Sequence, residues 1–202
     1  MSDQTVRVWD PLVRAGHWLL VIGFTVAYVT EGDPLFVHVW TGYAIAVIVV
    51  LRIVWGFVGP RRARFTDFVY GPAKVFDYLR GLIGKRAPRF IGHSPAGGAM
   101  VVALLIFLAG TTFTGMMTLA DAGNAGPLAF WFGNEQVAAA RTAAEAAGQE
   151  YRYRSPYEEV HEIFVNITLI LVLLHVAGVA WASYVHRENL PRAMVTGVKR
   201  AE

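Results

Sequence analysis

Four apolar runs, each long enough to cross a bilayer, govern what this chain can fold into. They lie at about 12–30, 36–58, 97–119 and 157–184, and a helical span needs roughly 17–25 mostly apolar residues. Their few charges sit near the ends: Arg14 in the first, Arg52 in the second, and Glu158, Glu159 and Glu162 in the fourth. A segment in lipid must satisfy its backbone internally, and none of the four shows the alternating ten-residue pattern of a membrane barrel. The runs therefore predict an all-α, four-helix transmembrane bundle, a single integral-membrane domain over 1–202. Composition agrees: 55% of the 202 residues are apolar and 16% charged, against about 25% charged in ordinary soluble chains. That excludes a disordered tail and argues against a water-soluble domain.

The first run is too good a helix to be set aside as a cleaved signal. It is followed by Tyr28, Val29, Thr30, Glu31 and Gly32, without the small-x-small pattern of a cleavage site. Orientation follows from the connections. Fourteen Lys and Arg fall on one side, in the N-terminal stretch, the 59–96 connection and the C-terminal tail; three, Arg141, Arg152 and Arg154, fall on the other. The positive-inside rule places both termini and the basic connection in the cytoplasm. The same asymmetry accounts for the net charge of +3, so the basic residues read as topology and lipid-headgroup contacts and not as a nucleic-acid surface. Within the inner loop 59–96, Val75, Leu79, Leu82 and Ile83 recur at helical spacing, as in an amphipathic helix lying on the inner leaflet. The outer loop 120–156 is Ala-rich from Val137 to Ala147 and is long enough to hold a short helix that caps the outer face or docks a partner.

There is no cysteine, which excludes iron–sulfur clusters, zinc–thiolate sites and covalently attached haem. The chemistry falls to the histidines. An ionisable side chain inside a span is costly and is a functional hypothesis by default. His161 and His175 are fourteen residues apart in the fourth run, about 40° short of four helical turns, so both project from nearly one face roughly 21 Å apart along the axis. His38 enters from the outer side at the level of His161, and His17 lies at the inner level of His175. Two inter-helix pairs result, His38 with His161 and His17 with His175. Each could hold a porphyrin iron between two imidazoles, and two stacked sites would make an electron path across the bilayer.

Gly42, four residues after His38, and Gly178, three after His175, leave a missing side chain on the ligand face and so room for a macrocycle. Close helix approach is the plainer role of such glycines. Structural helix–helix contacts or proton relays are the competing roles of the histidines. A bare metal ion is disfavoured, because the two pairs are too far apart to share an ion and two ligands are too few for zinc. His93 and His186 are left unpaired; an interfacial role suits His186, with propionate contact or proton uptake as lesser options.

Several motifs together carry a resemblance. They are V-R-V-W-D-P-L-V-R-A-G-H-W-L from Val6 to Leu19, H-V-W-T-G-Y from His38 to Tyr43, L-R-I-V-W-G-F-V-G-P from Leu51 to Pro60, G-H-S-P-A-G-G from Gly92 to Gly98, and H-R-E-N-L from His186 to Leu190. The chain closely resembles the bacterial di-haem cytochrome b561 family, which is similar to the cytochrome b subunits of nickel-iron hydrogenases and the membrane subunit of formate dehydrogenase. The resemblance implies two non-covalent haem b groups, ligated by His38 and His161 on the outer side and by His17 and His175 on the inner side. It also implies electron transfer between a periplasmic redox protein, for instance a c-type cytochrome, and the membrane quinone pool. The chain departs from the simplest members in its longer third connection, and it shows no fifth helix of the kind some hydrogenase subunits have. Its partner is therefore open.

Quinone chemistry needs a lipid-accessible cleft beside a haem and polar groups that exchange protons. His93, Arg61 and Arg14 are the candidates for quinone or propionate contact. Two other functions remain beside that of a transmembrane electron-transfer subunit. One is a self-contained superoxide:quinone oxidoreductase, and the other a non-redox membrane protein with structural histidines.

Overall fold

The computed structural model describes residues 5–31 and 33–201; residues 1–4, 202 and Gly32, the last of the residues weighed against signal cleavage, lie outside the described residues. Strand β1 (Thr5–Arg7) leads into α1 (Pro11–Val29) and α2 (Leu35–Val58). A 3-10 turn (Arg61–Ala63), α3 (Phe65–Phe68) and α4 (Pro72–Ile83) fill the inner connection before α5 (Pro95–Gly123). Next come α6 (Ala129–Phe132), α7 (Glu135–Ala146), the long α8 (Pro156–His186), α9 (Leu190–Thr196) and strand β2 (Val198–Arg200). The fold is all-α in its substance. Helices α1, α2, α5 and α8 are the four long and apolar enough to cross a membrane among the described residues, and they coincide with the four apolar runs.

Local chemistry sets the ends of these helices. At the start of α1 the Asp10 carboxylate accepts hydrogen bonds from the backbone of Leu12 at 3.0 Å and Val13 at 3.2 Å, and Pro11 occupies the first turn, where its missing N–H costs nothing. Helix α7 begins at Asn134, whose side chain accepts from the Val137 N–H at 3.2 Å. The helix expected in the Ala-rich part of the outer loop is thus present, preceded by the short α6.

The described residues form two compact units, Met1–Leu105 with Ile170–Glu202, and Ile106–Leu169. In the first unit α1 packs on α2 through small residues. A Cβ on Gly23 would lie 3.1 Å from the Ile45 side chain, so the close approach depends on hydrogen at that position. Ile45 and Val49 are buried there, while Leu19, Ile22, Val50, Leu51, Val54 and Phe57 face outward. Apolar side chains on the outside are what lipid as solvent demands. Strands β1 and β2 pair antiparallel, with Val6 opposite Lys199, a short ladder that three-residue runs do not announce in sequence.

Helix α4 is the amphipathic helix expected. Tyr78 and Leu82 are buried, whereas Phe76, Leu79 and Ile83 are exposed. The inward side is fixed by polar tethers: Tyr78 Oη lies 3.2 Å from His186 Nε2, and Trp181 Nε1–H donates to the Leu82 carbonyl at 3.1 Å. Phe76, Leu79 and Ile83, spaced three and four residues apart, form the apolar stripe left for the lipid interface.

In the second unit α5 and α8 meet through Thr111 and the fully buried Thr168, whose hydroxyls are 3.1 Å apart. The outer connection is pinned by Asp121, which accepts from the Tyr153 hydroxyl at 2.9 Å and the Asn134 amide at 3.3 Å. The hydrogen bond to Asp121 raises the Tyr153 phenol above its usual range.

Candidate functional site

Two of the four intramembrane histidines meet in the first unit. His17, in the second turn of α1, and His175, on α8, have ring centroids 6.3 Å apart with planes inclined by 57°. That spacing lies within the range of a ring pair and is also wide enough for a metal between the two rings. An imidazole nitrogen binds a metal at about 2.0 Å, so His17 and His175 are the residues that would hold a haem iron here. His17 Nδ1 is buried with no hydrogen-bond partner among the described residues. Protein packing alone leaves that ring incompletely satisfied.

The other two histidines are oriented by backbone carbonyls. In the first unit His38 Nδ1 donates to the Ala27 carbonyl of α1 at 2.8 Å. In the second, His161 Nδ1 donates to the Thr111 carbonyl at 2.9 Å, with the Thr114 hydroxyl 3.2 Å away. Either bond places the proton on Nδ1 and the lone pair on Nε2, the tautomer a metal ligand needs. Gly115 makes the His161 pose possible, since a Cβ there would stand 3.0 Å from the imidazole Cε1. Sequence reasoning passed over Gly115, because the ring it accommodates comes from another helix.

A Cβ on Gly42 or on Gly178 would meet nothing within 4 Å. Both positions face open space, so close helix approach does not explain either glycine. Among the described residues no group of three or more His, Asp or Glu could hold a bare metal ion.

Around the inner pair lies a set of polar groups that sequence alone left scattered. His93 is wedged between Trp9, at 4.5 Å between centroids, and Phe68, at 4.4 Å. Burial, then the charges of Arg52, Lys199 and His175, lowers its imidazole to about 3, so it is neutral at ordinary pH. Glu188 joins Arg89 at 2.9 Å and Lys199 at 3.2 Å, with the Glu188 and Lys199 side chains 6% and 3% exposed. Lys199 also donates to the Phe90 carbonyl at 3.1 Å. Burial pushes the Glu188 carboxyl up, but the Arg89 hydrogen bond and Lys199 outweigh it and hold it below the usual carboxylate range. Burial pulls the Lys199 ammonium down. Of the other candidates, Arg61 is engaged at 3.2 Å by Asp67 and is largely solvated, and Arg14 donates to the Val195 carbonyl. His186 is held by Tyr78.

Residues 8–197 match the prokaryotic cytochrome b561 family across nearly the whole fold. The chain belongs to that family. The cytochrome is also similar to a probable Ni/Fe-hydrogenase B-type cytochrome subunit of Bradyrhizobium diazoefficiens, with 27% identity over 145 residues, a match covering 57% of this chain and 58% of the relative. No solved structure matches. Family and fold together make it a multi-pass protein of the bacterial inner membrane, a b-type cytochrome whose family cofactor is haem b. Facing imidazoles fit that cofactor, and the donor set needs no thiolate.

Proposed function

We propose that the chain is a di-haem cytochrome b that carries electrons across the inner membrane between a periplasmic redox partner and the quinone pool. The 6.3 Å spacing of the His17 and His175 rings carries this reading. His17 and His175 hold the inner haem, and His38 and His161 the outer one. When bound, haem iron supplies one-electron exchange at each level. The chain's own part is to orient the imidazoles, exclude water and leave space at Gly42 and Gly178 for the macrocycle edges. The whole of 1–202 acts as one integral-membrane domain with both termini cytoplasmic. The β1–β2 pairing supports this, because it holds residues 5–7 and 198–200 together, as four spans require.

On the periplasmic side the similarity to a hydrogenase cytochrome subunit favours a redox enzyme or a c-type cytochrome as partner, and on the inner side a quinone takes or gives the electrons. The test is haem stoichiometry by pyridine haemochrome on the detergent-purified protein and on H161A and H175A. Two b haems per chain, with each variant losing chiefly one, is the expected result; one haem or none in the folded wild-type protein overturns the reading.

A further inference from the structure

Arg52 is a charge in an apolar helix, and its surroundings leave part of it unanswered. It lies six residues before the end of α2 at Val58, as His17 lies six residues after the start of α1 at Pro11, so in two helices that pack together the guanidinium and the ligand ring are at similar depth. Its Cζ stands 5.7 Å from the Phe65 ring centroid and 5.9 Å from that of Phe68. Its NH1 is buried with no hydrogen-bond partner, and so is His93 Nδ1, on the ring packed against the same Phe68. Asp10 lends Arg52 a favourable field, but its Oδ1 is engaged in capping α1. Among the described residues no salt bridge to Arg52 is formed. A half-buried guanidinium in a span, with one nitrogen buried and no bonded anion, is costly. Aromatic faces relieve only part of that cost.

The missing element is therefore an acceptor with negative charge, placed near the His17–His175 pair. Haem b brings two carboxylates and no other anionic side group. We propose that Arg52 is the anchor for one carboxylate of the inner haem, with His93 as a neutral wall that offers a second donor; this rests on the two-haem reading above. A guanidinium binds a carboxylate in a two-pronged fork and keeps its charge at any physiological pH. The same charge favours the reduced haem, whose iron carries one positive charge fewer, so Arg52 also raises the inner midpoint potential.

The experiment crosses the protein group with the haem group. The full chain is reconstituted with protohaem or with protohaem dimethyl ester, in wild-type, R52Q and R52K forms, and haem affinity and midpoint potential are read by optical titration. With protohaem, R52Q is expected to bind one of the two haems roughly 10- to 100-fold more weakly, the range a charge-assisted hydrogen bond commands, and to show a lowered potential for that haem alone. Esterification should weaken the same haem in the wild type, and the difference between wild type and R52Q at that haem should largely vanish with the ester. R52K, which keeps the charge and loses the fork, should fall between. It reads the same cycle if R52Q does not fold. An R52Q defect that persists undiminished with the ester, or two haems bound and poised in R52Q as in the wild type, overturns the assignment while leaving the two-haem reading intact. Fewer than two haems in wild-type protein overturns the two-haem reading, and this inference with it.

Discussion

The two histidines of α8 are held by different kinds of matter. His161, in the unit Ile106–Leu169, stands among neutral groups: the Thr111 carbonyl, the Thr114 hydroxyl and the bare Cα of Gly115. His175, in the other unit, faces the His17 ring at 6.3 Å between centroids, and His93 of the same unit lies in the field of Arg52 and Lys199. The first ring is aimed by the protein before any cofactor arrives. The second faces another ring, in a unit that also holds Arg52, Arg89 and Lys199. Pre-aiming favours retention of a ligand, because less order is lost on binding, whereas charge favours tuning of its potential.

The largest expected effect comes from filling the space under His161. G115L forces the imidazole off the Thr111 carbonyl, and haemochrome assay should show loss of one haem per chain with the other kept; two haems in a folded G115L protein would break the comparison. The charged end is tested by E188Q. Removing one partner from a buried ion cluster costs about 3–5 kcal/mol, so the thermal midpoint should fall clearly at neutral pH.

The acid limb of the wild type follows from the lowered Glu188 carboxyl. Its contribution is complete above the ordinary value of 4.5 and is lost as pH falls through the lower value of the folded state. E188Q should flatten that limb in a melt series from pH 6 downward (roughly, on the linkage argument), and an unchanged profile would show that Glu188 does not carry it. A smaller difference is expected in haem loss during detergent dilution. The haem on the His17–His175 pair should leave first, as followed by the two resolved redox components. The smallest effect belongs to T114V, which removes the 3.2 Å hydroxyl contact and keeps the Thr111 carbonyl bond. A midpoint shift confined to one haem, without loss of either, is the expected outcome by redox titration.

The spans were legible because lipid selects residues by composition, and composition is visible in a single chain. Even so, α5 begins at Pro95 and ends at Gly123, beyond the apolar run at both ends, because a helix continues as long as its backbone bonds can be made and not only where side chains are apolar. The pairing of His17 with His175 follows from helical rise, and those two rings do face each other. Gly115 was not legible, since nothing within α5 marks which glycine receives a ring from α8. Arg52 read as a stray charge near a helix end, because its lack of a bonded partner is a fact of packing. Of the apolar stripe of α4, Leu79 and Ile83 are exposed, as a leaflet-facing stripe requires, whereas Leu82 turns inward beside Tyr78, whose polar tip meets His186.

The strand pair near the two ends has a consequence for how the protein is made. Residues 198–200 leave the ribosome only after every spanning helix has been synthesised, yet Lys199 is the residue that pairs with Val6, reaches the Phe90 carbonyl and closes on Glu188. A nascent chain stalled before that point has all its helices and lacks the clasp on its inner face. Synthesis of 198–200, after the four spanning helices, is thus the step that closes the clasp on 5–7.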